Sequence, residues 1–158
     1  MDEVHYNHES MIEAIKGFLS LLADSSSGVE SPKQSLAQSL NRLVTEYFSS
    51  HEVEVSDSDV EAPTANYDSL RKMAEKSFPE FGFYPSADPL GEINQEMGMG
   101  DAIDDLADIA RDLTEVLWYF ENERINDAVW QFRWGYANHW GDHLHDLMGY
   151  LHKLIFWR

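Results

Sequence analysis

Residues 101–120 constrain the fold most, because their apolar and acidic side chains separate onto two faces of one helix. The apolar residues recur at steps of three and four, which is the period of an amphipathic α-helix. Acidic residues follow the same period on the other side. We call these five the acidic row: Asp101, Asp105, Asp108, Asp112 and Glu115. A helix with one long apolar stripe buries it against other elements, which favours a helical bundle.

Two further helices are predicted before residue 50. Apolar residues hold helical spacing over residues 9–23 and again from Pro32 to about Phe48. The residues between them have the composition of a turn, and Ser31 is the expected N-cap in front of Pro32. So short a connection predicts an antiparallel helix pair.

Residues 49–66 are predicted to be a flexible linker within a single domain that spans residues 1–158. They contain five acidic residues, four serines and neither lysine nor arginine, a composition that does not build a buried element. Asn66 is the expected N-cap of a third helix, which ends before Phe78-Pro79 because a residue preceding proline resists the helical conformation.

Two aromatic segments lie outside the predicted helices or at their end. Residues 78–85 carry four aromatic residues and two prolines, which predicts an ordered strap over the helical core, with a recognition loop as the alternative. The apolar tail Ile155–Trp157 is expected to dock either on its own core or on a second subunit.

A histidine-containing stretch resumes helical spacing at about Asn126, and we expect one long helix, with a break at Trp140-Gly141 as the alternative. Projected onto a helix, His139 and His143 fall in line with aromatic core residues, and Asp146 follows on the same stripe. These three side chains are candidate ligands for Zn²⁺, Mn²⁺ or Mg²⁺, provided that the acidic helix adds a carboxylate. The other interpretation is a pair of core histidines satisfied by carboxylates or tyrosine hydroxyls.

Known metal motifs do not match this stretch. Zinc proteases require glutamate directly after the first histidine, where this chain has Trp140. Helical phosphohydrolases with a His-Asp dipeptide need a later aspartate, and nothing after Asp146 is acidic. The chain has no cysteine, which excludes every zinc site built on thiolates.

The charge balance limits the partners. The formal net charge is −18, from 29 acidic and 11 basic residues, so the average field repels nucleic acids and anionic lipids. The N-terminus lacks a basic region followed by an apolar one, and no apolar run approaches the roughly 20 residues of a membrane span. We therefore expect a soluble cytoplasmic protein that binds neither nucleic acid nor membrane.

The acidic row has three interpretations. It is a solvated face, or it holds Mg²⁺ or Mn²⁺ against a phosphate through acids spaced i,i+3, as in helical nucleotide pyrophosphohydrolases. In the third interpretation it binds a basic partner protein, which the net charge also favours.

Two stretches, residues 100–109 (GDAIDDLADI) and residues 139–146 (HWGDHLHD), resemble a family of small bacterial proteins known only as a domain of unknown function. The resemblance is strong over about the last 60 residues and loose over the first 100. It implies an all-helical cytoplasmic protein and carries over no activity and no catalytic residue.

The sequence therefore predicts an all-α bundle of about five helices, in which the acidic helix and the histidine helix form a central antiparallel hairpin. Our preferred hypothesis is an interaction protein without cofactor or catalytic residue that binds a basic partner through the acidic row. The alternative is a metal-dependent hydrolase of a phosphorylated small molecule, in which Asp105 or Asp108 completes a site formed by His139, His143 and Asp146. A nucleic-acid mimic that inhibits a DNA-binding protein is a third possibility.

Overall fold

The computed structural model describes residues 7–27 and 31–157. Over these residues the chain is mostly helical, with six α-helices and one small sheet: α1 (Glu9–Ala23), α2 (Pro32–Ser49), α3 (Tyr67–Ser77), β1 (Phe83–Ser86), β2 (Gly98–Asp101), α4 (Ala102–Glu121), α5 (Ile125–Asn138) and α6 (Trp140–Phe156). None of the helices in these two ranges is long and apolar enough to cross a membrane.

Helices α2 and α3 begin where their capping residues predict. The side chain of Ser31 accepts a hydrogen bond from the backbone N–H of Gln34, and Pro32 opens α2. Asn66 caps α3 in the same way, through the N–H of Ser69. A side-chain oxygen at the N-cap satisfies a donor that the first helical turn leaves unpaired, so these local signals alone fix the helix starts.

Helix α4 lies at the centre of the bundle and contacts α1, α3, α5 and α6. Its apolar stripe is buried, and Leu106, Ile109 and Leu113 are fully inaccessible to solvent. His143 of α6 lies beside Asp105, while His139, four residues earlier, lies beside Asp112, so α6 runs antiparallel to α4. The predicted pairing of the acidic helix with a histidine helix is therefore present.

The prediction of one long histidine helix is wrong, because the helix is broken at His139. This residue ends α5 and precedes α6, with φ −148° and ψ −83°, outside the helical region. The glycines around the break allow close contacts: a Cβ at Gly141 would lie 1.9 Å from the backbone oxygen of Tyr136. The ring of Trp140 folds back over Gly135 and is fully buried. The break accounts for the six helices in place of the predicted five.

The aromatic strap packs on the bundle as expected, but part of it is a strand. Phe78 and Phe81 are buried and stacked, with ring centroids 4.9 Å apart. Strand β1 then pairs antiparallel with β2, Phe83 opposite Asp101. The sequence of β2 contains two glycines and gives no strand signal, although a glycine at position 100 is needed because a Cβ there would lie 2.3 Å from the ring of Tyr84.

Residues 51–66 contain no helix or strand and lie against α4 and α5. The backbone N–H and the hydroxyl of Ser56 both donate to Asp127, at 3.0 and 2.8 Å. The N–H of Ala62 donates to the hydroxyl of Tyr119. The flexibility of this segment stays a prediction, but its contacts place it along the surface of the bundle.

At the other end, Ile155 packs partly on the core, whereas Phe156 and Trp157 are 68% and 70% exposed. Within the apolar tail, Ile155 therefore packs on the core of its own chain, whereas the side chains of Phe156 and Trp157 are exposed to solvent.

Candidate functional site

The acidic row begins at the N-terminus of α4. The Asp101 carboxylate accepts hydrogen bonds from the N–H groups of Ile103 and Asp104, and it also pairs with Arg71 at 2.9 Å. A negative charge at this end of a helix stabilises the helix dipole, so Asp101 has a structural explanation.

Asp105 and Asp108 are buried, at 4% and 8% exposure, which corrects the interpretation of the row as a solvated face. They lie in the seam between α4 and α6. The spacing of the acids places them on the side of α4 opposite its main apolar stripe, but α6 packs against this acidic side as well. These carboxylates are thus interior groups that need partners.

His143 is the first partner. Its Nδ1 lies 2.8 Å from Oδ1 of Asp105, and since a carboxylate only accepts, Nδ1 carries the proton of this hydrogen bond. Its Nε2 lies 3.4 Å from Oδ2 of Asp108. The hydrogen bond to Asp105 raises the pKa of His143, and the charge of Asp108 acts in the same direction while burial opposes it. Tyr84 donates its hydroxyl proton to the other oxygen of Asp105.

His139 repeats this arrangement at the break between α5 and α6. Its Nδ1 lies 2.5 Å from Oδ2 of Asp112, which again fixes the proton on Nδ1. The rings of His139 and His143 lie edge to face, with centroids 5.1 Å apart. Because the chain leaves the helical path at His139, this ring turns toward Asp112, a position that a continuous helix would not give it.

Asp108, His139 and His143 form a cluster in which one ligand atom from each lies within 4.8 Å of the others. Both histidines use Nδ1 for a carboxylate of α4, which leaves each Nε2 without that partner, and Nε2 of His143 faces Asp108. Metal-binding histidines in proteins almost always donate their second ring N–H to a carboxylate or carbonyl in this way, which fixes the tautomer and the ring orientation. The residues present therefore fit a divalent ion.

Asp146, the third ligand predicted from the sequence, lies outside this cluster. It is exposed and lines a separate cavity of about 500 Å³ together with Tyr84, Tyr150 and Lys153. Partial desolvation of its carboxyl group by neighbouring atoms raises the pKa of Asp146, and the negative charge of Asp105 adds to the effect. Asp146 and His143 share a helical stripe, but the direction of α6 over α4 brings Asp108 rather than Asp146 to the two histidines.

Arg111 is a site residue that the sequence analysis missed. Its Nη2 lies 2.6 Å from Oδ1 of Asp108, and its Nε lies 3.9 Å from Oδ1 of Asp112. The signal was available, since Arg111 is the basic residue in the middle of an acidic helix face and stands three residues after Asp108. Arg111 partly neutralises the buried carboxylate of Asp108.

Glu115 ends the acidic row beside Asp112. Burial raises the pKa of Glu115, with the negative charge of Asp112 acting in the same direction. Burial also raises the pKa of Asp108, assisted by the charge of Asp104. Both carboxylates are thus in surroundings that disfavour an uncompensated negative charge, and an added cation would relieve this.

Comparisons with known proteins identify a family and a fold. The family model described as "Domain of unknown function (DUF5063)" matches residues 2–156. Among solved structures the chain is similar to protein BF1032 from Bacteroides fragilis, with 22% identity and a TM-score of 0.67 over 94% of this chain and 92% of that one. No match was found among curated proteins. At 22% identity the structural likeness shows a common fold alone.

Proposed function

Because the chain belongs to this family of unknown function, we propose a function from the site itself: a hydrolase that depends on a divalent metal ion. The observation that carries the proposal is the cluster of Asp108, His139 and His143, in which each histidine is held by a carboxylate through Nδ1 and Nε2 of His143 faces Asp108. Two imidazoles and one carboxylate suit Zn²⁺, Mn²⁺ or Fe²⁺.

The distances support this assignment. Two ligands at about 2.1 Å from one ion in tetrahedral geometry are separated by roughly 3.4 Å. Nε2 of His143 and Oδ2 of Asp108 are already 3.4 Å apart. The third ligand atom lies within 4.8 Å of these two, so it has to move closer to each of them by at most about 1.4 Å to reach the same spacing.

Three protein ligands leave a metal ion with open positions, as catalytic sites require. A metal ion in such a site supplies a bound water of lowered pKa as the nucleophile for hydrolysis. The side chain of His139 is 35% exposed, so water and a small substrate can approach the cluster from its side. Asp105 and Asp112 hold the two imidazoles in the tautomer that presents a lone pair at Nε2.

The same contacts argue against a basic partner on the acidic row. Arg71, Arg111, His139 and His143 already pair with four of its five carboxylates. A basic protein, or a DNA-binding protein recognising a nucleic-acid mimic, would have to displace these side chains, and two of the carboxylates, Asp105 and Asp108, are buried. We therefore favour the metal site over both hypotheses for the row.

The proposal is tested by hydrolysis of a panel of phosphomonoesters and phosphodiesters with metal-free protein and with protein loaded with Mn²⁺ or Zn²⁺. We expect turnover in the loaded protein alone and its loss in His139→Ala. His152→Ala is the matched control, because His152 is an exposed histidine of α6 that contacts Phe156 outside the cluster. Equal rates for the two variants, or turnover that survives complete removal of metal, would contradict the proposal.

A basic partner protein has a different candidate surface, the β1–β2 hairpin. Its exposed apolar side chains are Phe83, Leu90, Ile93, Met97 and Met99, and all five are 61–107% exposed. Exposed acids alternate with them at Asp88, Glu92 and Glu96. Exposed apolar side chains grouped in this way are typical of contact surfaces. The charge pattern fits a partner whose apolar groove is rimmed by lysine or arginine.

The hairpin surface is tested with a photo-crosslinking residue placed at Ile93, and in a second protein at exposed Glu52 as the control. We expect Ile93 to crosslink to one discrete protein, at a yield that falls with added salt. The surface is excluded as a contact site if the two positions crosslink to the same background, or if the Ile93 product is insensitive to salt.

A further inference from the structure

A cavity of about 260 Å³ opens beside the proposed metal site. Helix α4 contributes Arg111, Asp112 and Glu115 to its lining, and α5 contributes Trp134 among others. His139 lines the cavity and also belongs to the cluster with Asp108 and His143. A small molecule in this cavity would therefore lie next to a metal ion held by His139.

Arg111 connects the cavity to the cluster. It lines the cavity, and its Nη2 holds Oδ1 of Asp108, the carboxylate whose Oδ2 faces His143. Its guanidinium carbon lies over the ring of Tyr67, 5.7 Å from the ring centroid, a cation–π contact. Among the described residues that line the cavity, Arg111 is the one that is cationic at every physiological pH.

A guanidinium in this position is suited to a phosphate or carboxylate, which it binds with two parallel hydrogen bonds. In the metal-free protein such an anion would be repelled by the neighbouring carboxylates, and Arg111 already forms an ion pair with Asp108. A divalent ion on Asp108 changes both conditions. It neutralises the carboxylate, which weakens the ion pair with Arg111, and it adds positive charge beside the cavity.

Resting on the proposed metal site, we propose that Arg111 binds the anionic group of the substrate, a phosphate ester, in this cavity once a divalent ion has taken Asp108. Arg111 thus exchanges one anionic partner for another, and metal and anion bind cooperatively. By linkage, each ligand must then raise the affinity for the other by the same factor.

The test is calorimetry with Mn²⁺ alone and with methylphosphonate as the anion, each in the absence and presence of the other. We expect Mn²⁺ to bind the wild-type protein by itself. Methylphosphonate should bind at least about tenfold more tightly when Mn²⁺ saturates the site, and Mn²⁺ should gain the same factor from methylphosphonate.

Variants separate the role of Arg111 from that of the metal ligands. In Arg111→Met the affinity for Mn²⁺ should stay equal or increase, because the competitor for Asp108 is gone, while the affinity for methylphosphonate falls about tenfold or more. Arg111→Lys should retain an intermediate affinity, since it keeps the charge without the planar fork. Arg42→Met, which removes an exposed arginine of α2 paired with Glu13 of α1, is the control and should change neither affinity.

The outcomes distinguish the inference from the function on which it rests. If wild-type protein binds Mn²⁺ but its affinity for methylphosphonate is the same with and without Mn²⁺, the inference is overturned and the metal site stands. The same holds if Arg111→Met and Arg111→Lys bind methylphosphonate as tightly as the wild-type protein does. Wild-type protein that binds no Mn²⁺ overturns the metal site and the inference with it. A thermal melt of each variant confirms that it is folded before its affinities are compared.

Discussion

Replacing Asp108 with asparagine is expected to lower the affinity for Mn²⁺ or Zn²⁺ by more than about 100-fold. Removal of a residue that merely orients a ligand already costs roughly 10- to 100-fold. Asp108→Asn keeps the shape of the side chain and removes the charge that a cation needs. Calorimetric titration against a competing chelator measures the change.

Asp146→Asn is the matched control for this prediction, because the substitution is the same and Asp146 lies outside the cluster. We expect Asp146→Asn to bind metal with wild-type affinity. The opposite pattern, with Asp146 required and Asp108 dispensable, would show that the metal sits where the sequence spacing placed it, on the α6 stripe. If Asp108→Asn and Asp146→Asn bind the metal ion with equal affinity, the cluster is not the metal site.

Replacing Gly141 with alanine is expected to destabilise the fold by about 3 kcal/mol or more, an effect in the upper part of the range for single substitutions. The new Cβ would lie 1.9 Å from the backbone oxygen of Tyr136. A backbone atom cannot move aside as the end of a flexible side chain can, so the junction between α5 and α6 has to open. His139 forms that junction, and metal affinity should fall together with the free energy of unfolding.

Gly149→Ala, in the same helix, is the control. Nothing lies within 4 Å of the position of its Cβ, so alanine should stabilise the protein by roughly 0.5–1 kcal/mol through its higher helix propensity. Urea denaturation of both variants measures the two effects. If Gly141→Ala and Gly149→Ala shift the midpoint alike, the close contact at the junction does not exist in solution.

The sequence predicts those parts of the fold whose causes are local. Ser31 and Asn66 fix the starts of two helices because a cap is decided by residues three positions apart. The apolar stripe of α4 is equally evident, since its period is contained in twenty residues. The two strands were missed because β2 consists of glycines, a methionine and an aspartate, and it pairs through backbone contacts with residues about fifteen positions away.

The sequence locates the site but does not assign its ligands. A helical projection shows which residues share a face, but it does not show which neighbouring helix covers that face. Asp105 and Asp108 therefore looked like a solvated row, although α6 buries them. In the same way His143 and Asp146 share a stripe, yet the break at His139 and the direction of α6 bring Asp108 to the histidines. These are tertiary effects, which single-helix periodicity does not contain.

The most direct test of the metal site is a crystal grown with Zn²⁺ or Mn²⁺ and measured at the absorption edge of that metal. We predict one anomalous peak within about 2.0–2.2 Å of Nε2 of His139, Nε2 of His143 and an oxygen of Asp108. The Nδ1 atoms should remain hydrogen-bonded to Asp112 and Asp105. A fully occupied peak elsewhere on the chain, or no peak at this cluster at millimolar metal, would contradict the proposed metal site.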